Sequence, residues 1–361
     1  MQKRNLSIFI IDITLKGGIE RVTSNLTNEF AKKYNVEIVS FFRTNDTITY
    51  PLDDNISIRF LSKYKFNYYS YKFLLILIII SKIKTIIRLK QKTKIIGMYP
   101  IVNILCIFFA GFNKNNLIAS EHSEYFSQSK TMVILRKYFY KRLTAIVTLT
   151  NDGVRNFQND GIRAVLIPNA VTNFNSPLQW ENKINFDSIN CLFAGRLEPV
   201  KQPEHFISLI KHFNYQDKIS FEIVGDGPLM SDIKLKLKFL DNKNVHVHGN
   251  VSNIEDYYQK AHFLVCTSKT ESFNMVALEA MSFGCVVIAY SSQVGTSEII
   301  DNEVSGFIVN DGDFDKIHNI ITSLILDKGK FQIISKNAIS RANEFGSDKI
   351  GLAWDKLIDQ N

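Results

Sequence analysis

The sequence predicts an α/β protein built from two Rossmann-like domains joined by one linker. Three observations carry this reading. Short apolar runs of strand length recur along the chain, and most are followed by a helical pattern. The first run leads through a Gly17-Gly18 pair into a helix, the opening unit of a parallel α/β domain. The series breaks at a polar stretch, residues 168–188, and then starts again. A length of 361 residues with 45% hydrophobic and 22% charged side chains suits two globular domains and excludes a disordered or fibrous chain. No short-period repeat is visible, which excludes a solenoid.

The elements follow in order. In the first half, strands are expected at residues 6–11, 36–42, 94–98, 116–119, 145–149 and 164–167, with a helix over residues 19–33. In the second half they are expected at residues 190–194, 219–224, 245–248, 263–266, 286–289 and 306–309. This places a first domain at 1–170, a linker at 171–188 and a second domain at 189–345. Ligands of open α/β sheets bind beyond the carboxyl ends of the strands, so the loops there are the candidate site.

Charge divides the chain in the same place. Residues 1–180 hold 25 basic and 11 acidic side chains, net +14, whereas the remainder holds 18 and 24, net −6. Between Asp54 and Glu121 there is no acid, while Arg59, Lys63, Lys65, Lys72, Lys82, Lys84, Arg88, Lys90, Lys92, Lys94 and Lys114 fall there. Aromatic residues from Tyr64 to Phe73 alternate with these cations. Such a window suits docking on an anionic membrane surface; a core helix with a solvated basic face is the rival reading, and no recognition fold for nucleic acid accompanies it. The longest apolar run, residues 73–80, is far short of the roughly 20 residues of a spanning helix. The apolar start is too short for a signal peptide, and Cys106, Cys191, Cys266 and Cys285 read as reduced core thiols. A cytoplasmic protein, peripheral to the membrane's inner face, is the expectation.

Several loops carry chemistry. In Gly195-Arg196-Leu197-Glu198-Pro199-Val200-Lys201, a strand ends in glycine and two cations follow. Arg196 can grip a phosphate through parallel donors, and Lys201 adds a point charge; two solvated loop cations are the plain alternative. Val224-Gly225-Asp226-Gly227 is a second glycine turn, which admits close backbone approach or is simply a tight connection. In the segment from Thr267 to Gly284, a buried helix begins near Asn274. The amides of Phe273, Asn274 and Met275 would then be free donors at a positive helix end. Glu279 falls inside that apolar helix, where a carboxylate needs strong partners: vicinal hydroxyls, or a buried cation. Glu271 lies in the loop before it, facing a ligand or flanking the helix cap. In the first half, Gly17-Gly18 precedes a helix carrying Glu20 and Arg21, and His122 follows a strand, as a functional or a structural histidine.

Taken together these segments resemble the retaining glycosyltransferases of family 4. The resemblance spans nearly the whole chain: Gly17-Gly18-x-Glu20-Arg21, a histidine after a mid-domain strand, Pro168-Asn169-Ala170, Gly195-Arg196-Leu197 with Lys201, Val224-Gly225-Asp226-Gly227, Glu271 and Glu279, and Gly295-x-x-Glu298. It implies the GT-B fold, two Rossmann-like domains facing each other across a cleft, with residues 346–361 expected to pack back on the first. It implies a nucleotide-sugar donor, a UDP-sugar by expectation, held by Arg196, Lys201, Gly225, the segment Phe273 to Met275 and Glu279, with Gly18 beside the diphosphate. Glu271 and His122 take the catalytic roles, and Gly17, Glu20 and Arg21 the acceptor side. No metal or other cofactor is expected. Docking at a membrane suggests a polyprenyl-diphosphate-linked glycan as acceptor, in the synthesis of a bacterial surface polysaccharide. Ser272-Phe273-Asn274 replaces the family's Gly-Phe-Gly, and the usual proline is missing from residues 290–296. A nucleotide-sugar epimerase or a non-catalytic sugar-nucleotide binder shares the same fold; a Rossmann oxidoreductase is disfavoured because no Gly-x-Gly-x-x-Gly follows the first strand.

Overall fold

The computed structural model describes residues 3–65, 93–110, 116–171, 183–213, 219–240 and 244–359. Most of the cations of the acid-free window, from Lys72 to Lys92 and Lys114, lie outside the described residues, as does 172–182 of the linker. The chain divides into two compact units, Met1–Ala170 with Ser347–Asn361, and Val171–Gly346.

Unit 1 holds a sheet of strands β1 (Asn5–Ile10), β2 (Asn35–Ser40), β3 (Ser57–Phe60), β4 (Lys94–Gly97), β5 (Leu117–Glu121), β6 (Ala145–Thr148) and β7 (Ala164–Leu166). All pairings are parallel, in the order β3-β2-β1-β4-β5-β6-β7. Strands of a parallel sheet are covered on both faces, which is why they read as unbroken apolar runs. Successive residues of one strand feed different cores. Leu6, Ile8 and Ile10 join Phe30 and Trp354 in one cluster, while Phe9 joins Val102, Cys106 and Phe157 in another. The covering helices are α1 (Gly18–Ala31), α2 (Pro100–Ala110), α3 (Lys130–Phe139) and α4 (Asn151–Asn159).

Strand β3 was not expected from sequence. It has four residues at the sheet edge, and only alternate ones are half-buried, so it leaves no apolar run. Arg59 reaches across to Glu37 at 2.9 Å, which ties the edge to its neighbour.

Unit 2 holds a second parallel sheet, in the order β10-β9-β8-β11-β12-β13. Its strands are β8 (Ile189–Ala194), β9 (Ile219–Val224), β10 (Val245–Gly249), β11 (Phe263–Cys266), β12 (Val286–Tyr290) and β13 (Gly306–Val309). Around them lie α5 (Pro203–His212), α6 (Met230–Lys238), α7 (Glu255–Lys260), α8 (Met275–Ser282), α9 (Val294–Ser297), α10 (Phe314–Leu326) and α11 (Lys328–Asn343). Residues 183–188, assigned from sequence to the linker, are built into this unit. Phe186 packs edge-on against Phe331 at 5.1 Å, and the fully buried Lys183 donates to the carbonyls of Tyr258 and Ala261.

The last helix, α12 (Ser347–Asp359), belongs to unit 1. Trp354 meets Phe30 edge-to-face at 5.8 Å, Lys33 pairs with Asp355, and Arg4 lies 3.1 Å from Asp359.

In each sheet the first strand lies beside the fourth, β1 against β4 and β8 against β11. The direction of winding reverses there, which opens a crevice at the strand ends. Two loop pairs are singled out: those after β1 and β4, and those after β8 and β11.

Removing Trp354 leaves a hole between α1 and α12. Trp354→Ala is expected to destabilise unit 1 by about 3–5 kcal/mol, read as an earlier urea transition in unit 1 with that of unit 2 unchanged.

Candidate functional site

The loop after β8 is shaped by glycines. Gly195 and Gly225 have φ of 152° and 139°, and a Cβ on Gly225 would stand 1.8 Å from the carbonyl oxygen of Gly195. Backbone bonds complete the join: Gly195 donates to Val224 at 3.0 Å, Leu197 to Asp226 at 3.0 Å and Leu229 to Leu197 at 2.9 Å. Gly225, assigned to the donor from sequence, is thus required here by the packing of one loop on another. The consequence falls on Arg196. It stands on the crest of the joined loops with its side chain 73% exposed and only a 3.8 Å approach to Glu198.

Lys201 ends a short 3-10 turn, Pro199–Lys201, and its ammonium forms an ion pair with Glu271 from the loop after β11. Glu271 also accepts from the Ser268 hydroxyl at 2.8 Å. The loops that carry the pair are laced by backbone contacts. Thr267 Oγ1 donates to the carbonyls of Lys201 and Gln202 at 2.9 and 3.0 Å, and the Lys269 amide donates to Val200 at 2.8 Å. The cation and the carboxylate are therefore fixed side by side at the crevice of the second sheet, and Arg196 extends from the same loop.

Helix α8 starts as the sequence indicates, with a different distribution of donors. Asn274 is its N-cap: Oδ1 accepts from the Ala277 amide at 3.0 Å, and Nδ2 donates to Gln293 Oε1 at 3.0 Å. The residue is buried, and its side chain caps the helix. The Met275 amide is bonded to the Phe273 carbonyl at 3.0 Å, which corrects the expected row of three free amides. Those of Phe273 and Asn274 have no partner among the described residues. Phe273 is buried against Phe345. Glu279, only 1% exposed, accepts from the Tyr258 hydroxyl at 3.1 Å, a partner the sequence did not suggest.

Sequence reasoning missed Gln293. Where the resemblance leads one to expect proline, this buried amide donates to the Cys266 carbonyl at 2.9 Å and accepts from Thr296 at 2.7 Å. It joins the end of β11 to the cap of α8. The missing proline was its only signal. The expectation of a chain without an Asp-x-Asp motif is corrected by Asp311, Asp313 and Asp315, which have that spacing. Asp313 caps α10 by accepting from Lys316 at 3.1 Å, and Asp311 accepts from Ser292 at 2.7 Å.

In unit 1, Glu20 lies buried in the first turn of α1 and accepts from Tyr99, after β4, at 2.7 Å. Burial raises its pKa. Gly17 makes room for it, since a Cβ there would stand 2.2 Å from Glu20 Oε2. Gly18 is exposed with nothing within 4 Å of a Cβ, so its backbone is open to a ligand. Arg21 follows, half-buried. Asp12, unremarked in the sequence, is fully buried and accepts from Thr14 at 2.9 and 2.6 Å and from the Thr44 amide at 2.8 Å. It clasps the loops after β1 and β2. His122 follows β5 with Nε2 3.0 Å from Ser120 Oγ. It lines a cavity with Asn25, Ser120, Leu149, Asn169 and Trp354. Burial lowers its pKa to about 4, so it is neutral at pH 7 and offers a hydrogen bond, not a charge.

Comparison with known proteins agrees with this layout. Residues 176–341 match the family described as Glycosyl transferases group 1. The chain is 28% identical, over 97% of both chains, to a Campylobacter jejuni GalNAc-α-(1→4)-GalNAc-α-(1→3)-diNAcBac-PP-undecaprenol α-1,4-N-acetyl-D-galactosaminyltransferase. It is 23% identical to the amylovoran biosynthesis glycosyltransferase AmsD of Erwinia amylovora, over 98% of this chain and 99% of that one. Among solved structures, Anabaena HepE in complex with UDP superposes with a TM-score of 0.78 at 16% identity, covering 99% and 100% of the two chains. Thermosynechococcus elongatus sucrose-phosphate synthase gives 0.82 at 18% identity, covering 99% of each.

Two outcomes are expected. Gly225→Ala drives a methyl into the Gly195 carbonyl and should cost stability and activity together, whereas Gly18→Ala should fold normally; circular dichroism melts separate the two. His122 has a folded-state pKa below the ordinary 6.5, so its contribution to stability is fully present above that value and is lost as pH falls toward 4. Acid melting curves of His122→Gln should therefore fall less steeply through this window than those of the wild type.

Proposed function

We propose that the chain, whose residues 176–341 match the glycosyl transferases group 1 family and whose fold is GT-B, is a glycosyltransferase that moves a sugar from a UDP-sugar to a polyprenyl-diphosphate-linked glycan, with retention of anomeric configuration and without a metal. Hexosyl transfer in bacterial polysaccharide synthesis is the setting its relatives share. The observation that carries the finer reading is the Lys201–Glu271 ion pair with Arg196 exposed beside it.

Departure of a nucleoside diphosphate develops negative charge on the phosphate oxygens. Arg196 is free to take one phosphate in a bidentate grip, and Lys201 supplies a positive charge already positioned by backbone contacts. The amides of Phe273 and Asn274, at the positive end of α8, add donors for phosphate or sugar oxygens. Glu271, held by Lys201 and Ser268, presents a carboxylate toward the transferred sugar, and neutral His122 orients a hydroxyl. Retention then follows from attack on the face the diphosphate leaves, with a donor phosphate oxygen taking the acceptor proton. The relative whose name specifies an undecaprenyl-diphosphate acceptor, and the neighbour solved with UDP, support the choice of acceptor and nucleotide. Such an acceptor places the enzyme at the inner face of the cytoplasmic membrane.

A thermal-shift screen with UDP, GDP and ADP tests the nucleotide: UDP alone should raise the melting temperature. Arg196→Ala should lower kcat/KM roughly 10²–10³-fold, the scale of losing one donor to developing charge. Turnover should be unchanged by a chelator; wild-type kinetics in Arg196→Ala, or inactivation by chelation, would overturn the corresponding assignment.

A further inference from the structure

Helix α3 of unit 1, which follows the acid-free window in sequence, carries its own signature. Helix α3 is fixed by its inward side, where Arg136, 1% exposed, pairs with Glu121 at 3.1 Å and donates to the Tyr125 carbonyl at 2.6 Å. Its outward side therefore stays outward. Lys130, Ile134, Lys137 and Tyr138 recur there at helical spacing, and Lys141 and Arg142 follow. Ile134 is 66% and Tyr138 65% exposed, and Phe126, just before the helix, is 75% exposed. Arg142 lies 5.7 Å from the Tyr138 ring centroid. Lys137 is paired with Asp160 at 2.9 Å, whereas Lys130 and Lys141 have no acidic partner among the described residues. The adjacent helix α2 has no charged residue and leaves Phe108 exposed.

Single exposed apolar residues need no explanation. Two large ones set among cations on one amphipathic helix, with a third just before it, form the pattern of an interfacial membrane contact, in which apolar side chains enter the headgroup boundary and lysines meet anionic lipid. We propose that the outward face of α3, with Phe126, docks on an anionic bilayer surface. The charge of the face selects this occupant, and the proposal rests on the lipid-linked acceptor reading for its purpose, though not for its chemistry.

The test uses the full chain and vesicles of phosphatidylcholine with or without phosphatidylglycerol. Flotation should show binding that needs phosphatidylglycerol and weakens with salt. Lys130→Gln/Lys141→Gln should weaken it at least ten-fold, from about five-fold per cation removed. Ile134→Ser/Tyr138→Ser should weaken it at low salt as well. Both variants should keep wild-type transfer to a soluble acceptor analogue, which shows that they fold. Equal binding to pure phosphatidylcholine, or wild-type binding by both variants, would overturn the docking face. Vesicle binding as described in a protein that glycosylates soluble but not lipid-linked acceptors would support the docking and sink the acceptor reading alone.

Discussion

A lysine and a glutamate 70 residues apart in sequence stand as an ion pair at the point where the second sheet reverses its winding. The loops after β8 and β11 hold that pair. The Gly195 and Gly225 backbones interlock and fix the loop that carries Arg196 and Lys201, while Thr267 binds the end of β11 to the same loop. Gln293 then links β11 to the Asn274 cap and hence to the start of α8. A partly buried charge pair is poor evidence of stability, because desolvation offsets its attraction. Under the proposed reading its value is preorganisation: a cation that need not be gathered from solvent when negative charge develops next to it.

Much of the fold was legible because parallel strands are buried on both faces and announce themselves as apolar runs. All of them except β3 lie close to where the sequence places them. The exception sits at an edge, where alternate residues are exposed and the four-residue run is too short to read. Residues 183–188 were misread for a related reason. Polar composition suggested a linker, yet Lys183 is buried with its ammonium on two carbonyls and Cys285, and burial lowers its pKa.

At the site, charges in loops after strands were legible as candidates, since Arg196, Lys201 and Glu271 have few reasons to cluster there otherwise. Roles that depend on a distant partner were not. Nothing near Gly225 in sequence reveals that the Gly195 carbonyl occupies the place of its Cβ, and nothing near Glu279 reveals Tyr258. Asn274 stands out of the family's pattern in the sequence, and in the structure it caps α8. The formal charge of the first half was likewise only part of the account. Asp12, Glu20, Glu37 and Glu121 are all buried, so the surface of unit 1 is more basic than counting residues implies, apart from the internal Arg136.

The claim that Lys201 serves the diphosphate and Glu271 the sugar is tested most directly by calorimetric titration of UDP, without a sugar, into Lys201→Ala and Glu271→Ala. Lys201→Ala should bind UDP much more weakly than wild type. Glu271→Ala should bind it as well as wild type or better, since the lysine is freed from its partner. Equal losses in the two variants would mean that the pair acts as one structural unit, and would contradict the division of roles.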